Sequence, residues 1–86
     1  MDSLTELLAN TRTASFGIES REGVETPVVA MLGKNWMIYE LRVVEQEGKF
    51  IKEVGGETLV VHPEYKILEV VSNEGRVLVQ KEYSSL

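Results

Sequence analysis

The chain has 86 residues, with 14 acidic and nine basic side chains, one histidine, no cysteine and a net charge of −5. That size implies one domain, residues 1–86, with a thin core. A content of 43% hydrophobic and 27% charged residues is that of a folded globular chain rather than a disordered one. Without cysteine there is no disulfide framework, no thiolate nucleophile and no sulfur-ligated zinc, which suits a cytoplasmic setting. The net negative charge weighs against a polyanionic partner such as bulk nucleic acid or an anionic membrane surface.

Residues 1–10 form the first element. Asp2 or Ser3 can cap a short helix, Glu6 stands in capping-box position to Ser3, and Leu4, Leu7 and Leu8 share one helical face. A helix this short is marginal alone, so the leucines are expected to close an open end of a sheet or to pack on a second copy. Asp2 and Glu6 stand where a secretory signal carries lysine or arginine. No run approaches the roughly 18 apolar residues of a membrane-spanning helix.

From Thr13 the period changes. Short apolar runs up to Tyr83 are cut by Arg21-Glu22-Gly23, Gly33-Lys34-Asn35, Gln46-Glu47-Gly48, Gly55-Gly56 and Asn73-Glu74-Gly75, each offering a residue that tolerates positive φ. The fold class is therefore all-β with one short N-terminal helix. We expect an antiparallel meander of about seven strands over residues 13–83 with a tail at 84–86, rolled into an SH3-like or OB-like barrel or packed as a sandwich.

Along the meander, Phe16 and Ile18 alternate with polar residues as in a half-buried strand. Thr26 to Leu32 is apolar on both faces, with Val28, Ala30 and Leu32 on one and Val29 and Met31 on the other, which asks for cover on two sides from the helix or from another copy. Trp36 to Gln46 reads as one long strand with Met37, Tyr39, Leu41 and Val43 inward; its second face mixes Trp36 and Ile38 with Glu40 and Arg42, so the strand is expected to bend, its first half covered and its second half wet. Phe50 to Val54 and Thr58 to His62 follow. A final hairpin pairs Tyr65–Val71 with Val77–Tyr83 through a three-residue loop.

No constellation for catalysis stands out. His62 is the sole histidine, and Glu57 and Glu64 are only its nearest acids in sequence, so a metal or acid–base site has no support. Serines 15, 20, 72, 84 and 85 lack a nucleophile-elbow context. Carboxylate pairs such as Glu22 and Glu25 or Glu45 and Glu47 flank turns, where charge is readily solvated. Gly33-Lys34-Asn35 and Gly55-Gly56 open no helix and match no phosphate-binding spacing. No catalytic, metal or cofactor residue is assigned, and the chain is read as not an enzyme.

What remains is surface. Trp36 has two readings, the main packing residue of a thin core or a contact anchor on a hairpin tip. Arg42, Lys49 and Lys52 around Phe50 suggest a basic and aromatic patch, but Glu45, Glu47 and Glu53 interleave with it. The leading expectation is a protein-interaction or assembly module, homodimeric or bound to another protein, contacting through Val29, Met31, Trp36, Ile38, Arg42 and Phe50. The alternative is a nucleic-acid-associated small barrel or a regulator of a nucleic-acid-binding protein; direct nucleic-acid binding would need Arg42, Lys49, Lys52, Lys66 and Lys81 to converge on one face.

Overall fold

A computed structural model describes residues 3–83. Asp2, Ser84, Ser85 and the tail at 84–86 lie outside the described residues. After helix α1 (Leu4–Ala9) come eight strands: β1 (Thr11–Arg21), β2 (Val24–Gly33), β3 (Ile38–Arg42), β4 (Val44–Gln46), β5 (Lys49–Val54), β6 (Glu57–His62), β7 (Ile67–Ser72) and β8 (Val77–Glu82). All pairings are antiparallel between sequence neighbours. They make a three-stranded sheet β1-β2-β3 and a five-stranded sheet β4-β5-β6-β7-β8. The two sheets do not close into a barrel.

The turns follow local backbone chemistry. Glu22-Gly23, Glu47-Gly48 and Gly55-Gly56 each place two consecutive residues at positive φ, between the paired residues Arg21 and Val24, Gln46 and Lys49, and Val54 and Glu57. This is the two-residue hairpin geometry whose twist matches that of the flanking strands. The expected strand from Trp36 to Gln46 is instead two strands separated by Val43, which gives eight strands where about seven were expected. Val43 is 1% exposed and its N–H donates to the Pro27 carbonyl at 3.0 Å, so the chain bends where one valine turns into the core. Of the expected inward set, Val43 is buried, Tyr39 and Leu41 are half-buried and Met37 is exposed.

Register defines the core between the sheets. Ala14 lies opposite Met31 and Phe16 opposite Val29 in one sheet; Val61 lies opposite Leu68 and Leu59 opposite Val70 in the other. With Leu4, Leu8 and Val43 these residues form the buried cluster, except Phe16, which packs against it partly buried.

α1 closes one end of this core, as its leucine face predicts. Ser3 caps it, its hydroxyl accepting from Glu6 N at 3.1 Å, and Leu4 and Leu8 are buried. The sheet holds the helix at both ends. The Glu57 carboxylate of β6 accepts from Leu4 N at 2.9 Å and from the Thr5 hydroxyl at 2.8 Å. The Lys81 ammonium of β8 donates to the carbonyls of Leu8 at 3.3 Å and Thr11 at 2.5 Å. An anion at the N-terminus and a cation at the C-terminus match the peptide dipoles of a six-residue helix that could not persist alone. Among the described residues no helix is long and apolar enough to cross a membrane.

Candidate functional site

The three-stranded sheet has one face in the core and one outside. Opposite the buried Val29 and Met31, the outer face runs in rows across β1, β2 and β3: Thr13, Leu32 and Ile38; Ser15, Ala30 and Glu40; Gly17, Val28 and Arg42. Val28, Ala30 and Leu32 are half-buried. α1 packs on β6, β7 and β8, so it provides no second layer here. The two-faced apolar character of β2 is thus half resolved within the chain and half left at its surface.

β3 is an edge of this sheet, paired only with β2. Val43 N–H points to Pro27 and Met37 C=O accepts from Gly33 N at 2.8 Å, so the odd-numbered residues direct their backbone groups at β2. By alternation, the N–H and C=O groups of Ile38, Glu40 and Arg42 face the open edge. The side chains of those three residues are exposed, Ile38 at 62%. Glu40 and Arg42 make no side-chain hydrogen bond or ion pair among the described residues. Two unpaired opposite charges therefore flank Leu41 on a strand with free backbone donors and acceptors.

The loop leading into this edge carries Trp36, which is 68% exposed and is not a core residue. It sits at φ 65, the left-handed region that glycine favours and bulky residues avoid. Gly33-Lys34-Asn35 forms the expected turn, but its positive φ falls on Trp36 rather than on Gly33. At Gly33 a Cβ would stand 2.7 Å from Asn35 Oδ1, so a side chain there would push the Asn35 amide aside. That oxygen accepts from Met37 N at 3.2 Å and so fixes the loop. The Arg12 guanidinium lies 4.4 Å from the Trp36 ring centroid and holds the indole against the protein.

The six expected contact residues therefore separate. Trp36, Ile38 and Arg42 come together on the exposed β2–β3 loop and edge. Val29 and Met31, each 1% exposed, are corrected to core positions, because their face of β2 is the one the second sheet covers. Phe50 is half-buried beside Phe16, ring centroids 4.7 Å apart, on a different part of the molecule. Sequence reasoning missed Glu40, whose signal was its alternation with Arg42 about a central leucine.

The remaining polar candidates are engaged elsewhere. His62 Nε2 lies 2.6 Å from Glu69 Oε1, and Gln80 donates to the other oxygen of Glu69 at 3.0 Å. Among the described residues no three of His, Asp and Glu cluster as a metal site. The five basic residues do not converge on one face: Arg42 and Lys52 line one cleft with Glu53, Lys49 lines another, Lys66 is in the β6–β7 turn and Lys81 is bound to α1. No protein-family model matches the chain, and comparison with curated proteins and with solved structures finds no match.

Proposed function

We propose that this chain is a non-enzymatic, cytoplasmic assembly module that pairs with itself through the open edge of β3. The observation that carries this reading is the arrangement of Glu40, Leu41 and Arg42. An antiparallel pairing of two β3 strands about a two-fold axis at Leu41 sets Glu40 opposite the partner copy's Arg42 and Arg42 opposite its Glu40. Both are positions with outward backbone groups, so each such pair exchanges two backbone hydrogen bonds. Opposite charges directly across a ladder stabilise it and like charges oppose it, so the charges also select this register. Trp36, Met37 and Ile38, all exposed, lead into the joint and offer it apolar surface.

Charge exchange tests the reading. Sedimentation or light scattering is expected to find a dimer at about 100 μM, a concentration at which a complex with Kd near 10 μM is mostly formed. Glu40→Arg and Arg42→Glu should each weaken dimerisation about tenfold through like-charge contacts, and the exchanged double variant E40R/R42E should restore it. A monomeric wild-type protein, or a double variant as weak as the singles, overturns the reading. The dispersed cations and net charge of −5 give the nucleic-acid alternative no comparable observation.

A further inference from the structure

Away from β3, the mouth of the space between the sheets forms a cleft of about 450 Å³. Its wall is aromatic: Phe16 from β1, Phe50 from β5 and Tyr65 from the β6–β7 turn. Tyr65 is 70% exposed, and within its turn it is tied by its backbone, its N–H donating to the His62 carbonyl at 3.2 Å. Glu47 and Glu64 also line the cleft, and neither side chain makes a hydrogen bond or ion pair among the described residues. Lys49 is the one lysine or arginine in the lining, and the His62 ring is already occupied by Glu69. An exposed tyrosine, two partly buried phenylalanines and two exposed carboxylates without a protein partner are what a planar organic cation requires: π-faces to stack on and anions to accept its N–H groups.

We infer that this cleft binds an arginine-bearing extended segment of a partner protein, with the guanidinium over Tyr65 and Phe50 and facing Glu47 and Glu64. Arginine is favoured over lysine because its plane stacks on rings and its fork pairs with carboxylates, whereas a compact ammonium does neither as well. The chain already shows the preference in Arg12 over Trp36. The volume exceeds one guanidinium and leaves room for the adjoining peptide, and the net charge of −5 attracts a basic segment. No lining residue belongs to β3, so this inference goes beyond the assembly reading and stands or falls separately from it.

The test uses the full chain and fluorescein-labelled alanine hexapeptides carrying two central arginines, two lysines or two glutamates. Anisotropy should give a Kd of about 1 mM or tighter for the arginine peptide, about fivefold weaker binding for the lysine peptide and none for the glutamate peptide. Tyr65→Ala, which removes only an exposed side chain, should weaken the arginine peptide about fivefold. The double variant E47Q/E64Q should weaken it and reduce its salt dependence. Amide chemical-shift changes should fall on residues 47–50 and 62–65. Equal binding of arginine and lysine peptides, with shifts scattered over the acidic surface and no effect of Tyr65→Ala, overturns the proposal in favour of diffuse charge attraction. Absence of binding near 1 mM, or binding of the glutamate peptide, overturns it as well. The E40R/R42E protein should bind the arginine peptide as the wild type does, which keeps the cleft and the β3 edge experimentally distinct.

Discussion

Two loops of this protein share one hydrogen-bond pattern and fill its left-handed position with opposite kinds of residue. In the β7–β8 loop, Ser72 N donates to Arg76 O at 2.8 Å and Gly75 N to Ser72 O at 3.0 Å; in the β2–β3 loop, Gly33 N donates to Met37 O at 2.8 Å and Trp36 N to Gly33 O at 2.9 Å. The left-handed position is filled by Gly75 at φ 84 in the first and by Trp36 at φ 65 in the second. The first loop uses the residue its geometry prefers. The second places the bulkiest side chain in the chain at the same point, and offsets the strain with Arg12 on the indole and with the Asn35 side chain bonded to Met37 N. A local rule broken on an exposed loop marks a residue placed for its surface rather than for its fold.

The helix latch sets the scale against which that difference is read. Lys81→Met keeps the apolar stem but leaves the carbonyls of Leu8 and Thr11 without their cation, and should cost about 2 kcal/mol in urea unfolding. Gly75→Trp should cost about 1 kcal/mol, because a side chain there enters the left-handed region at φ 84. The reverse change, Trp36→Gly, relieves about 1 kcal/mol of strain and forfeits about 0.5 kcal/mol of exposed cation–π contact, so a net gain of about 0.5 kcal/mol is expected. Arg12→Ala should then lower stability in the wild type and leave the Trp36→Gly protein unchanged, a double-mutant cycle that isolates the stacking. Equal effects at the two loops would remove the contrast.

The smallest expected effect is alkaline. Burial raises the Tyr83 phenol above its ordinary value near 10. The unfolded chain therefore ionises first, and the stability this group supplies is present below pH 10 and declines as pH rises from there through the folded value. Tyr83→Phe should flatten that decline in unfolding measured from pH 9 upward.

Much of the fold is legible in the chain because it is built from neighbours in sequence. Glu22-Gly23, Glu47-Gly48, Gly55-Gly56 and Asn73-Glu74-Gly75 each announce a reversal through φ preferences that act within two or three residues. A bend between Trp36 and Gln46 is legible in the mixed second face of that run, but its place at Val43 is not, because a β-branched apolar residue reads as strand whether it continues one ladder or turns into the core between two; the half expected to be covered is exposed at Trp36 and Ile38. Glu57 and Lys81 look like ordinary solvated charges; their tie to α1 depends on where the sheet carries them. The proposed contact surface is half legible. Trp36, Ile38 and Arg42 could be singled out as large or charged residues near a tip, but which face of β2 is covered depends on the register between sheets, and that moved Val29 and Met31 into the core.

The latch on α1 also orders events during synthesis. The helix leaves the ribosome ahead of the strands that anchor it, which lie 53 residues after Leu4 at Glu57 and 73 residues beyond Leu8 at Lys81. The hairpins can close one after another as they emerge, each from adjacent segments. The C-terminal end of α1 must wait until β8 has been released from the exit tunnel, so a chain truncated before Lys81 should keep its earlier hairpins and leave that end of the helix unlatched.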